Sequence, residues 1–279
     1  MLNPNPTPGP PAAASATRDS ARALFNHIAE TCDLPPLPAV AARAMALARD
    51  PDTTTEDLAR VVQTDPALAA RVLTISRSVT YLRRQPPRTL HEAIMTVGFQ
   101  GLRKILVAAS ARATYRADDT VAQTLWAHAL ATALGADEIA RAAGGPCGGD
   151  AFIAGLLHDT GKLIFHLADA SAFTTLKRFD RTREQELFGA SHDAVGACLA
   201  ELWGLEDEVV KAIMFHHEGE EASSLAASVS YADRIATDIG YGSVLGERAR
   251  LATEPVDEAS AALGERVQAL FESECKFFD

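Results

Sequence analysis

A histidine followed by an aspartate inside an apolar segment is the most chemically informative feature of this sequence. His158 and Asp159 lie within residues 151–165, where nearly all the neighbouring side chains are apolar. An ionised carboxylate in such surroundings is costly unless it is paired with a cation. A divalent metal would supply that charge, with imidazole and carboxylate groups as ligands. Lys162 is the alternative partner of Asp159, which would give a buried polar cluster without a metal.

Further histidines and one more aspartate share helix faces with apolar residues in the second half of the chain. They are His128, His192, His216, His217 and Asp233. One histidine on an apolar face is usually a core residue, but a set of seven such groups on different predicted helices is typical of a metal site. We therefore predict that these five residues and the His158-Asp159 pair are metal ligands.

The remaining candidates are weaker. Glu186 precedes His192 on a polar segment and could bridge to a metal, but a solvated helix carboxylate fits such a segment better. His27, His91 and His166 have no comparable apolar setting, so we interpret them as surface or packing residues.

The elements that must position these residues are predicted to be helical. Aromatic residues make up only 6% of the chain, and Ala and Leu, which favour helices, are abundant. From Ala21 onward apolar residues recur at three- and four-residue intervals, and no strand-like alternation of useful length is present. Helices are expected near 20–32, 38–49, 121–143, 150–167, 169–179, 182–189, 192–203, 206–217, 223–239 and 256–273.

Three further helix starts are indicated by capping residues. Thr55 has the position of an N-cap, Asp65-Pro66 places a proline in a first turn, and Thr89 opens a helix that Gly98 should separate from a second one. Residues 1–19, rich in Pro, Ala, Ser and Thr, are expected to be a disordered leader. A polar stretch at 115–120 suggests two lobes, 20–115 and 116–279.

Composition excludes several classes of function. The net charge of −11 argues against a nucleic-acid-binding role. A cluster of basic residues is interpreted as a solvated face; it comprises Arg71, Arg77, Arg83, Arg84 and Arg88. The four scattered cysteines form no metal-binding or disulfide pattern, and no signal peptide or membrane-spanning run is evident. We expect a cytoplasmic protein that does not bind membranes.

The segment Gly155–Lys162 (GLLHDTGK) resembles the central motif of the HD superfamily of metal-dependent phosphohydrolases. Four residues match that superfamily's ligand pattern in order; they are His128, His158, Asp159 and Asp233. The resemblance implies that these four hold one metal. His192 and His216-His217 resemble the ligands of a second metal in the HD-GYP cyclic-di-GMP phosphodiesterases, and Lys162 matches a lysine that contacts substrate phosphate there.

The N-terminal half resembles the HDOD family, the HD-related output domains of bacterial signalling proteins. The matching motifs are LPPLPAV (34–40), DPD (50–52), DPALA (65–69), VLTISRS (72–78), Ala93-Ile94 with Val97-Gly98, WGL (203–205) and Glu186 with Phe188 leading into HDAVG (192–196). The resemblance runs from about residue 20 to about residue 240. It implies an all-α, two-lobed helical bundle, with an N-terminal helical subdomain and a C-terminal HD-like subdomain.

Two departures from these families affect the interpretation. Arg77 stands where HDOD proteins usually carry Asn. The His216-His217-Glu218 stretch lacks the Asp-Gly-x-Gly-Tyr-Pro sequence that follows it in HD-GYP enzymes, and residues 240–242 come too late to replace it. This second departure weighs against cyclic-di-GMP hydrolysis.

Three functions remain open. The favoured one is a signalling output or scaffold module that binds a partner protein or a cyclic or mononucleotide. The second is a metal-dependent phosphohydrolase, in which Asp159 and Lys162 would be catalytic. The third is a structural metal that only holds the helices together. One or two divalent ions of Fe, Mn, Zn, Ni or Co would suit the ligand set.

Overall fold

The computed structural model describes residues 20–27, 37–81, 84–144, 149–176, 180–218, 223–243 and 258–278. Throughout these ranges the regular structure is helical and includes no β-strand, which confirms the predicted all-α, two-lobed fold. The expected leader, residues 1–19, lies outside the described residues, as does Arg83. No helix within the described ranges is long and apolar enough to cross a membrane.

The helices are numbered in chain order. Residues 20–27 are helical and are called α1. The others are α2 (Ala39–Leu47), α3 (Thr55–Val62), α4 (Pro66–Ile75), the 3-10 turn η1 (Val79–Tyr81), α5 (Leu90–Arg112), α6 (Thr120–Ala142), α7 (Asp150–Leu157), α8 (Thr160–Ala168), α9 (Ala170–Thr174), α10 (Arg181–Phe188), α11 (His192–Leu202), α12 (Asp207–Met214), α13 (Ser224–Asp238) and α14 (Glu258–Phe278).

Capping side chains fix the starts of several helices. Asp65 accepts a hydrogen bond from the backbone N–H of Leu68, and Thr89 caps α5 in the same way, as predicted. The cap of α3 is Thr54 and not Thr55. Thr54 and Asp57 form a reciprocal capping box, which satisfies two backbone donors where a cap at Thr55 would satisfy one.

Gly98 separates two helical stretches within α5, as the sequence indicates. Its φ of 70° and ψ of 175° interrupt the helix, and a residue with a side chain would be strained in that left-handed conformation. α5 packs against α2, α3 and α4, and its C-terminal part also reaches α7. The bend therefore lets one helix belong to the N-terminal lobe and contact the C-terminal lobe.

The C-terminal lobe is built around α6. α7, α13 and α14 pack on α6, while α11 packs on α8 and α12. α14 also joins the two lobes, since Arg71 of α4 donates to the carbonyl oxygen of Phe278 at 2.7 Å and Thr80 donates to Glu274 at 2.9 Å. Arg71 was predicted to lie on a solvated basic face, but it forms this partly buried contact between the lobes instead.

The predicted helix 150–167 is broken at His158 and Asp159. α7 ends at Leu157, α8 begins at Thr160, and Asp159 has a φ of −104° and a ψ of 9°. The break matters because successive side chains on a continuous helix point about 100° apart. Here both side chains face the same interior region. The predicted helix 206–217 likewise ends earlier, at Met214, so His216 and His217 lie in the turn that follows α12.

Candidate metal centre

The structure brings all seven predicted ligands into one cluster inside the C-terminal lobe. His128 comes from α6, the His158-Asp159 pair from the α7–α8 junction and His192 from the start of α11. His216 and His217 follow α12, and Asp233 lies in α13. Most of the set is fully buried; the side chain of Asp233 is 25% exposed and His217 is half-buried, so the cluster reaches solvent on their side.

One group of ligand atoms gathers around His128. Its Nε2 lies 3.2 Å from Asp233 Oδ1, 3.3 Å from Asp159 Oδ2 and 3.2 Å from His158 Nε2. Atoms of His128, His158 and Asp233 are all close enough to contact a single ion. This group contains the residues that the HD resemblance assigns to a first metal.

A second group of ligand atoms consists of His192, His216 and His217. His192 Nε2 lies 3.0 Å from His217 Nε2, and the three residues could also share an ion. Asp159 Oδ1 faces this group, at 3.2 Å from His192 Nε2. The carboxylate of Asp159 therefore lies between the two groups, with one oxygen directed to each.

Backbone carbonyl groups fix the tautomers of three of the histidines. In each case Nδ1 donates to a carbonyl oxygen: His128 to Tyr241 at 2.6 Å, His158 to Gly155 at 2.7 Å and His216 to Ile213 at 2.7 Å. A carbonyl oxygen can only accept, so the proton lies on Nδ1. In the neutral ring Nε2 then presents a lone pair to the cluster, which is the arrangement of metal-binding histidines.

Glu184 fixes the fourth histidine and was missed in the sequence. It is 2% exposed and accepts hydrogen bonds from the backbone N–H and from Nδ1 of His192. Glu186 is 58% exposed and pairs with Arg183, as expected for a solvated helix face. The helix phase was the available signal, since Glu184 lies one turn before Phe188, whose ring stacks on Phe165 at 4.3 Å.

Charge interactions favour the ionised forms of His128, Asp159 and Asp233. Burial lowers the pKa of His128, but hydrogen bonds and attraction from Asp159 and Asp233 outweigh burial and raise it to about 10. Burial opposes ionisation of the two carboxyl groups as well. Even so, Lys162 and the histidines hold the pKa of Asp159, and His128 that of Asp233, well below the ordinary value.

The pKa values of three other histidines of the cluster are shifted downwards. Burial lowers the pKa of His158. Burial, together with repulsion from His158 and His192, lowers the pKa of His216 to about 3. Burial and the neighbouring histidines also lower the pKa of His217. Around neutral pH these three rings are therefore neutral and available as ligands.

Lys162 alone does not satisfy the cluster. Its Nζ donates to Asp159 Oδ2 at 2.7 Å and to Ser243 Oγ at 2.8 Å. Asp159 Oδ1 and His216 Nε2 remain buried with no hydrogen-bond partner among the described residues. Buried polar atoms are rarely left in that state. Imidazole nitrogens and carboxylate oxygens facing one another fit a divalent metal, so the cluster is compatible with metal binding.

The chain after α13 contributes to the cluster through its backbone and through Ser243. Gly240-Tyr-Gly242 comes too late in the sequence to replace the HD-GYP signature. Its structural role is different from that signature, because the carbonyl group of Tyr241 orients His128. The ring of Tyr241 lies 4.2 Å from that of Phe271 in α14.

The other histidines lie away from the cluster. His166 Nε2 bonds to Asp119 at 2.6 Å and so joins α8 to the N-cap of α6. His91 is exposed near Glu56, and His27 is exposed in α1. None of the three contributes a ligand atom to either group.

Comparison with known proteins places this architecture among similar chains. The family model described as HDOD domain matches residues 34–219. An uncharacterised protein of Treponema pallidum (strain Nichols) is 27% identical over 213 residues, which covers 72% of this chain and 42% of that protein. The chain thus spans about two fifths of the length of this relative.

Solved structures share the fold over almost the whole chain. An HDOD domain protein of unknown function from Geobacter sulfurreducens is 25% identical, with a TM-score of 0.70, and covers 95% of this chain and 96% of its own. A candidate phosphohydrolase from Shewanella amazonensis SB2B is 24% identical, with a TM-score of 0.68, over 92% of this chain and 97% of its own. Asp233 and Ser243 lie beyond the matched residues 34–219.

Proposed function

The chain belongs to the HDOD domain family, and from that premise we propose that it is a signalling module built around a centre for one or two divalent transition-metal ions. Its output would be the binding of a partner protein or of a cyclic or mononucleotide. The observation that carries the proposal is the convergence of seven candidate ligand residues, most of them buried, in which Asp159 lies between the two groups.

The assignment of ligands follows from the two groups. His128, His158 and Asp233 would hold one ion, and His192, His216 and His217 the other, with Asp159 shared between them. This mixed nitrogen and oxygen set suits Fe, Mn, Zn, Ni or Co. Glu184 and the three backbone carbonyl groups would keep the histidine rings oriented.

The contacts of Lys162 support ligand binding more than catalysis as the role of the cluster. In the HD-GYP enzymes the matching lysine contacts substrate phosphate, whereas here Lys162 is buried and bound to Asp159 and Ser243. The cluster reaches solvent only near Asp233 and His217 among the described residues. A substrate phosphate would have to displace Lys162 from its present partners.

A metal-dependent phosphohydrolase acting on a nucleotide is the second candidate. The shared position of Asp159 favours it, because such a carboxylate can orient two ions against one phosphate group. A bound divalent ion supplies Lewis acidity and lowers the pKa of a water ligand. In this alternative Asp159 keeps its place, and Lys162 turns from Asp159 to the phosphate.

Elemental analysis of the purified protein beside a His158→Ala/Asp159→Ala variant tests the metal centre. We expect one or two equivalents of a transition metal in the wild type and their loss in the variant. A His91→Ala variant is the matched control, since His91 is exposed and outside the cluster. A wild type that stays metal-free after reconstitution with each of the five metals would refute the centre.

Incubation of the metal-loaded protein with cyclic and mononucleotides separates the two candidates. A nucleotide that raises the thermal stability and is recovered intact supports the binding module. Product formation that is lost in both Asp159→Asn and Lys162→Met would instead support the phosphohydrolase. The two variants identify the source of the activity, because a contaminating hydrolase would be insensitive to substitutions in this protein.

A further inference from the structure

A buried arginine of the N-terminal lobe contacts two helices of the C-terminal lobe. One of them leads to the His158-Asp159 pair and the other to the His216-His217 pair. Arg103 lies in the part of α5 beyond Gly98 and is 4% exposed. Its guanidinium lies 3.2 Å from Asp150 Oδ1 and 2.6 Å from Glu206 Oε2. Asp150 is the first residue of α7, and Glu206 is the N-cap of α12.

Both of these helices end at metal-ligand candidates. α7 runs from Asp150 to Leu157 and is followed at once by His158 and Asp159. α12 starts after Glu206 and is followed by the turn that contains His216 and His217. At a rise of about 1.5 Å per residue, the ligands lie only about 12–17 Å along the chain direction of each helix from the arginine contact.

The two helices pack against each other, so a displacement at their N-terminal ends reaches the ligands that follow their C-terminal ends. α7 and α12 contact each other, and both also contact α13, which carries Asp233. A short helix is stiff, and close-packed interiors carry displacements to their neighbours. A shift of the two N-terminal ends relative to α5 would therefore move the four following ligands together.

A second arginine of the N-terminal lobe contacts the same place. Arg49, just after α2, lies 2.9 Å from Glu206 Oε1 and donates to the carbonyl oxygen of Gly204 at 2.7 Å. Glu206 thus receives one arginine from α5 and one from the end of α2. The acidic groups also suit the positive ends of α7 and α12, beside which an arginine alone would be unfavourable.

We propose that Arg103 is a positioning residue for the candidate metal centre, through which the N-terminal lobe sets the metal affinity of the C-terminal lobe. The inference rests on the proposed function, because it assumes that the cluster holds a metal. A partner that bends the N-terminal helices would change metal affinity, and metal binding would change the affinity for that partner by the same factor.

The test measures Co²⁺ binding to the full chain by chelator competition and by visible absorption, which reports ligand geometry. Arg103→Met should weaken Co²⁺ binding by about tenfold or more, the size found for residues that orient ligands from outside. It should also shift the absorption bands of the loaded protein. Arg103→Lys, which keeps the charge, should recover part of the affinity.

Arg71→Met is the matched control. It removes an arginine that also joins the lobes, through the carbonyl oxygens of Phe277 and Phe278 in α14. Its Co²⁺ affinity and spectrum should equal those of the wild type even where its thermal stability falls. If Arg103→Met does not fold, Glu206→Gln takes its place, because that carboxylate is 34% exposed and its loss leaves Arg103 paired with Asp150.

The outcomes separate this inference from the proposed function. A wild type that binds neither Co²⁺ nor another divalent metal refutes both. A wild type that binds Co²⁺, with equal affinity and spectrum in Arg103→Met and Glu206→Gln, overturns the positioning role and leaves the metal centre standing. Equal losses in Arg103→Met and Arg71→Met would also overturn it, because they would indicate general destabilisation.

Discussion

The Nε2 atoms of His128 and His158 lie 3.2 Å apart, and each ring donates its Nδ1 proton to a backbone carbonyl group. Two nitrogen lone pairs at that distance repel each other unless a cation lies between them or one ring is protonated. Attraction from Asp159 and Asp233 raises the pKa of His128 to about 10. A proton on His128 and a metal ion therefore compete for the same atoms.

Metal binding near neutral pH should release about one proton for the first ion, because a ligating histidine must lose the proton that His128 otherwise carries. Since the pKa of His128 is about 10, apparent metal affinity should rise with pH from neutral towards that value. Titration calorimetry in two buffers of different ionisation enthalpy measures the proton count. His91→Ala should behave as the wild type, and tight binding with no buffer dependence would contradict the prediction.

Replacing Glu184 by Gln should weaken metal binding by about tenfold to a hundredfold. The loss should concern the ion that His192, His216 and His217 would hold. Gln has only one acceptor oxygen and would place an NH₂ donor against the Nδ1–H of His192, where Glu184 has Oε1 at 2.9 Å, so the ring is held less firmly. Chelator competition gives the affinity. Glu186→Gln is the control two residues away and should leave it unchanged; equal effects of the two substitutions would show that Glu184 has no special role.

The fold and the identities of the ligand candidates could be predicted because their signals are local. Asp65 and Thr89 cap helices through bonds within one turn, and Gly98 interrupts α5 through its own backbone. The apolar surroundings of His158 and Asp159 likewise lie within a few residues of the pair. Such patterns survive in a single sequence whatever the tertiary packing.

The geometry of the cluster could not be predicted, because it depends on contacts between distant segments. The apolar pattern of 150–167 runs unbroken across His158, so the interruption of the helix there has no periodic signal. The carbonyl group of Tyr241 is 113 residues from His128, and a backbone group carries no mark in the sequence. Arg103 was missed for the same reason, since its acidic partners are on other helices.

Gly161→Ala should destabilise the protein by about 3 kcal/mol, the upper part of the range for overpacking a core. A Cβ atom at Gly161 would lie 2.0 Å from the carbonyl oxygen of His192, so α8 and α11 would have to separate. Because Asp159 is the N-cap of α8 and His192 is the first residue of α11, metal affinity should fall as well. Urea unfolding and chelator competition measure the two effects.

Gly196→Ala is the comparison for this prediction. Gly196 lies on α11 and faces the same region, but its Cβ would meet a methyl group of Ile213 at 3.3 Å, which a small side-chain adjustment can relieve. Gly196→Ala should therefore lower the free energy of unfolding by clearly less than Gly161→Ala does. Comparable stability and metal affinity in Gly161→Ala and the wild type would mean that the close approach of α8 and α11 is not required for the cluster.

Lys162→Met should destabilise the metal-free protein by about 3–5 kcal/mol, the typical cost of removing one partner from a buried ion pair. Asp159 keeps its charge in the interior but loses the cation 2.7 Å from Oδ2. In the metal-loaded protein the loss should be much smaller, because the ions compensate the same carboxylate. Urea unfolding with chelator and with saturating metal measures both values.

Lys211→Met is the control. It removes an exposed lysine paired with Glu208 and should lower the free energy of unfolding little in either state. An equal loss for Lys162→Met with and without metal would show that Asp159 does not face the bound ions, and the shared-carboxylate arrangement would then be wrong.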